Sequence, residues 1–95
     1  MEKKTQNDFS QKLKQKRKKI DSLDKKLLTL LNQRLRHALE IGKIKKGVGI
    51  KIYDPKREKE VLERLKTKNK GPMKDIDLKK IFGMITRVSR SSQSS

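Results

Sequence analysis

The 95-residue sequence has no cysteine, no tryptophan and a single histidine, and its remaining aromatic residues are one tyrosine and two phenylalanines. Without cysteine there is neither a disulfide framework nor a thiol nucleophile. The lone His37 excludes a multi-histidine metal site. No apolar run approaches the ~18 residues needed to span a bilayer, and the opening MEKKTQNDFSQ lacks the apolar core of a secretory signal. A cytoplasmic protein with no membrane partner is the expectation. Apolar residues are also scarce, at 31%, which is thin for a self-sufficient core. Oligomerisation is the usual remedy for a chain this small.

Acidic residues are few as well: 11 Asp and Glu stand against 28 Lys and Arg, a formal net charge of +17. Such basicity suits nucleic acid, a small dianionic substrate, or a charge-rich surface of the thermophile kind. Charge alone does not separate these three.

What the sequence does have is one long helical seam. Leu13, Arg17, Ile20, Asp24, Leu27, Leu31, Arg34, Ala38, Ile41 and Lys45 follow one another in alternating steps of four and three. That is the spacing of a narrow stripe on an α-helix. Six of the ten are apolar, so the stripe faces something packed; three of the other four are cations. A buried cation without a partner is costly, so these should meet an anion or open onto water. Ala38 leaves space between Arg34 and Lys45, which suggests a pocket for an anionic ligand. Arg34 and Lys45 stand roughly 16 Å apart along a helix axis, within reach of one small molecule through flexible ends. Arg17 lies roughly 25 Å before Arg34, too far to share that ligand within one chain. An antiparallel partner helix would bring its own Arg17 alongside, so the seam predicts a homodimer with sites shared between chains.

The rest of the chain reads as two shorter helices. Residues 1–11 are polar and lysine-rich, a frayed extension, and residues 12–95 form the folded domain. The first helix ends near Lys46, where Gly47 and Gly49 interrupt the pattern. Val48, Ile50 and Ile52 make the connector β-branched, but it is too isolated to form a sheet. Asp54-Pro55 marks a helix start, with Asp54 capping the free amides and Pro55 at the first helical position. This second helix runs to about Lys68 with Val61, Leu62 and Leu65 inward. A turn around Gly71-Pro72 follows. Asp75 or Asp77 then caps a third helix whose stripe is Leu78, Ile81, Phe82, Ile85 and Val88. The same face continues to Ser89 and Gln93. By composition the ending SRSSQSS resembles a disordered tail, and Gln93, two residues from the end, is expected to sit in a fraying turn.

Three helices thus turn polar groups toward a common interior. Arg17, Arg34, Lys45 and Arg57 supply cations, and Glu58, Ser89 and Gln93 supply hydrogen-bonding groups. Arginine forks match carboxylates, and lysine offers a compact charge for a developing oxyanion. Blander roles stand beside these: Asp24 as an ion-pair member across a dimer, Asp54 as a helix cap, Tyr53 as packing and His37 as a surface residue.

RKKIDSLDKKLLTLLNQR, the following EIGKIK, and IYDPKREKEVLERL resemble the all-helical class of chorismate mutase. The resemblance spans Leu13 to Gln93, and Asp-Pro-x-Arg-Glu followed by a leucine stripe is its most specific part. It implies an all-α chain of three helices, the long first helix intertwined with its antiparallel copy in a homodimer. It further implies that Arg17 from the partner chain, Arg34 and Lys45 hold two carboxylates, with Ser89 adding a contact. Lys45 and Gln93 would hydrogen-bond the ether oxygen. Glu58 and the backbone at Asp54 would take the ring hydroxyl, and Arg57 would support the pocket. The catalytic members would be Lys45, Gln93, Arg34 and Glu58.

The implied reaction is the Claisen rearrangement of chorismate to prephenate, in phenylalanine and tyrosine biosynthesis. It needs no nucleophile, metal or cofactor. Many relatives carry a fused prephenate dehydratase or dehydrogenase, and this sequence shows neither, so a stand-alone mutase or an excised domain is expected. An isochorismate-pyruvate lyase of the same fold is the alternative; Glu58 favours the mutase, since those relatives tend to lack that acid. A basic helical nucleic-acid-binding protein is the other alternative. It would fan its cations outward and use aromatics; the inward cations of the seam, the scarcity of aromatics and the lack of a recognition motif argue against it.

Overall fold

The computed structural model describes residues 2–94, with side chains from Asp8 onward. Three helices follow in order: α1 (Glu2–Val48), α2 (Pro55–Lys68) and α3 (Asp75–Gln93). Among the described residues there is no strand, and no helix is long and apolar enough to cross a membrane.

Helix α1 extends over 47 residues and begins at Glu2. The lysine-rich segment expected as a frayed extension is therefore continuous with it, Met1 alone of that segment lying outside the described residues. The physical reason is that Lys, Gln and Glu are good helix formers. A polar composition signals the lack of a core-facing stripe, and it does not break a helix. No proline or glycine occurs before Gly42. The helix stops at Gly49, whose φ of +73° is easy only for glycine. The Ile50 amide then reaches back to the Lys45 carbonyl at 2.8 Å, the six-to-one closure of a Schellman end.

Asp54 caps α2 as the sequence indicates: its Oδ1 accepts from the Arg57 amide at 3.0 Å, with Pro55 in the first turn. At the other end Asn69 shapes the turn, donating through Nδ2 to the Met73 carbonyl at 2.8 Å and accepting from the Gly71 amide at 3.0 Å. The expected cap of α3 is not found. Lys74 occupies the capping position without a side-chain bond, and Asp75 and Asp77 lie in the first turn. There their charges favour the positive helix end without capping it. Asp75 also accepts from Asn69 Nδ2 at 3.4 Å, which draws it toward the turn.

The chain divides into two compact units, Met1–Arg34 and Leu35–Ser95. The first is a single helix, and along it Leu13, Ile20 and Leu27 are each more than half exposed. The second holds the last turns of α1, the connector, and α2 packed on α3. Its core is small: Ala38 and Leu78 are each 7% exposed, and Ser89 joins them. Val61, Leu62, Leu65, Phe82 and Ile85 are half-buried, whereas Ile81 and Val88 remain exposed.

Candidate active site

Within the second unit, Ala38, Gly42 and Lys45 fall at positions i, i+4 and i+7 of α1 and share one face. Ala38 and Gly42 are buried and Lys45 is half-buried. Lys45 Nζ donates to the Ile52 carbonyl at 3.0 Å. That bond ties the ammonium to the connector and leaves two of its three N–H donors for a ligand.

Gln93 closes onto this face from α3. Its Nε2 donates to the Ala38 carbonyl at 2.7 Å, across 55 residues of sequence. The ending with a disordered look is therefore helical through Gln93, because its side chain is anchored on α1. Four residues earlier on the same face, the buried Ser89 hydroxyl donates to the Ile85 carbonyl at 3.0 Å.

The acidic member comes from the first turn of α2. Glu58 is half-buried, and its backbone N–H donates to the Asp54 carbonyl at 3.1 Å. Its Oε2 lies 3.9 Å from Nε of Arg90. The Arg90 guanidinium in turn sits 4.5 Å above the centre of the Tyr53 ring, a cation–π arrangement. Connector, α2 and α3 are thereby linked through three side chains. Beside Glu58, an open groove between α2 and α3 is lined by Leu62, Lys66, Lys79, Phe82 and Thr86.

Of the residues singled out in the sequence, Lys45, Asp54, Arg57, Glu58, Ser89 and Gln93 belong to this unit. The Asp54 carboxylate is committed to capping, and the Arg57 side chain is exposed. Arg17 and Arg34 belong to the first unit, Arg17 exposed beside Leu13 and Lys14 in a shallow groove, Arg34 half-buried. His37 is a surface residue, 3.9 Å from Glu40. Sequence reasoning passed over three contributors: Arg90, the cation-bearing role of Tyr53, and Gly42. Only Gly42 left a usable signal, as a glycine inside an otherwise unbroken helical pattern.

Among the described residues no group of His, Cys, Asp or Glu could hold a metal ion. Fold and site define an all-α protein whose polar groups are ammonium, guanidinium, carboxylate, hydroxyl and amide, suited to holding a small anion. More narrowly, the chain belongs to the family described as chorismate mutase type II, which it matches over residues 16–94. That range contains every site residue named above.

The chain is 44% identical over 66 residues to the bifunctional chorismate mutase/prephenate dehydratase of Neisseria gonorrhoeae, covering 70% of this chain and 18% of that one. It thus spans under a fifth of that relative's length. Among solved structures it is similar to a chorismate mutase of Thermus thermophilus in its form II, with TM-score 0.86 and 35% identity. That match covers 87% of this chain and 94% of the other. It is also similar to the Helicobacter pylori chorismate mutase in complex with prephenate, at TM-score 0.81 and 36% identity, with coverage of 86% and 89%.

Proposed function

We propose that this chain is a chorismate mutase that rearranges chorismate to prephenate as an antiparallel homodimer. The observation that carries the reading is the docking of Gln93 on the Ala38 carbonyl, on the face of α1 that bears Lys45. An amide and an ammonium on one face are the two donors an ether oxygen needs as its C–O bond breaks. The reaction is pericyclic: the ether C–O bond breaks as a C–C bond forms, and no proton or electron is exchanged with the protein. Catalysis then consists of holding the compact conformer and stabilising the charge that grows on the ether oxygen.

Lys45, Arg34 and the partner's copy of the Arg17 position would hold the carboxylates, with Ser89 beside them. Glu58, with the backbone at Asp54, would accept the ring hydroxyl, and Arg57 would support the pocket. The dimer reading rests on Leu13, Ile20 and Leu27, apolar side chains spaced along one stripe and largely uncovered in the single chain.

The test is loss of chorismate absorbance with purified protein, with prephenate identified as product. Turnover without added cofactor is the expected result. Inert chorismate together with release of pyruvate from isochorismate would instead make the chain a lyase. Failure on both substrates would overturn the assignment.

A further inference from the structure

In the second unit α1 and α3 approach closely at Gly42 and Gln93. A Cβ placed on Gly42 would lie 2.9 Å from Gln93 Cγ, 3.0 Å from its Cβ and 3.4 Å from its Cα. These atoms form the root of the Gln93 side chain, so no rotation of its far end relieves the collision. One turn earlier on α1, the Ala38 carbonyl takes the Gln93 amide at 2.7 Å. A carbonyl only accepts, so it selects Nε2 rather than Oε1 as the atom turned toward α1. The amide has two N–H bonds, and this contact occupies one.

We infer that Gly42 is a positioning residue: its missing side chain lets Gln93 rest on α1 with one N–H held by Ala38 and the other presented to the ligand. The inference rests on the reading of Gln93 as a donor to the ether oxygen and adds what fixes that donor. In a helix interior alanine is intrinsically favoured over glycine, so helix propensity gives no reason for a glycine at this position. Contact with Gln93 does.

The experiment is a double-mutant cycle on the full chain, with Gly42→Ala made in the parent and in a Gln93→Gly background. Gln93→Gly removes both colliding carbons and the amide together. In the parent, Gly42→Ala is expected to lower kcat by about tenfold or more with little change in KM, the scale of a misplaced reacting group. In the Gln93→Gly background the same substitution is expected to change kcat less than about threefold. Thermal melting supplies an independent readout. Propensity alone would raise Tm in Gly42→Ala, whereas the collision lowers it. Measured against the Gln93→Gly single variant, adding Gly42→Ala should no longer lower Tm, a comparison that holds even if Gly42→Ala alone does not fold.

An equal loss of kcat in both backgrounds would overturn the inference, as would unchanged kcat and raised Tm in the parent. A drop in Tm from Gly42→Ala in the Gln93→Gly background as large as in the parent would overturn it as well. Those results leave the mutase reading intact. A parent protein inactive on chorismate would remove both.

Discussion

In the proposed mutase Lys45 and Gln93 would act on the ligand through different physics. The ammonium is a full charge held at one corner by the Ile52 carbonyl, so its loss removes charge from the site as well as a hydrogen bond. Lys45→Ala is expected to lower kcat on the order of 10²-fold or more, the scale of one oxyanion donor, measured by chorismate turnover with the helical circular dichroism unchanged. A loss under about threefold would remove Lys45 from the catalytic set. Gln93 is neutral and donates at any ordinary pH. In Gln93→Glu donation needs a protonated carboxyl, and its single O–H can serve the ligand only by giving up the Ala38 carbonyl. Activity of that variant is therefore expected at low pH and is lost as pH rises through the pKa of that carboxyl. Glu58 is common to both proteins, so the difference between their two pH profiles isolates the carboxyl at position 93.

At the scale of elements, the start of α2 is the most local device in the chain. Asp54, Pro55 and the Arg57 amide lie within four residues, and Asp54→Ala is expected to cost about 1 kcal/mol, read from the urea midpoint. Asp54→Asn should retain most of that stability, since an amide oxygen caps as well. Features of this kind were legible: Asp54-Pro55 gave the start of α2, Gly47 and Gly49 its predecessor's end, and the four-three seam the existence of α1. The cap of α3 was misread because two aspartates near a helix start look alike in sequence, and the Asn69 turn draws Asp75 past the capping position. The reach of α1 to Glu2 is not evident in the sequence, because the polar, lysine-rich opening carries no core-facing stripe. The Arg90–Tyr53–Glu58 link and the Gly42–Gln93 approach were out of reach for another reason. Each joins segments tens of residues apart, and no local pattern states which pairs will meet. The inward positions of Lys45, Glu58, Ser89 and Gln93 were legible, whereas Arg17 and Arg57, also expected inward, are exposed in the single chain; the roles came from family resemblance alone.

For the whole molecule the decisive fact is that the first unit is one helix with its leucines uncovered. If that stripe is the dimer seam, Leu27→Glu places a charge in it. The variant is expected to sediment as a monomer and to lose chorismate turnover, because Arg17 then has no second chain to serve. A Leu27→Glu protein that stays dimeric and active would place the seam elsewhere. The same feature bears on how the chain acquires its structure. Isolated helices are marginal in water, and most helical stability in proteins comes from packing an apolar face. On that dimer reading the second unit, in which α2 packs on α3, can gain order within one chain, whereas the first would wait for an encounter. Refolding should accordingly show a concentration-independent phase followed by a second-order one. Amide protons up to Arg34 should then exchange at a rate that depends on how crowded the chain is with copies of itself.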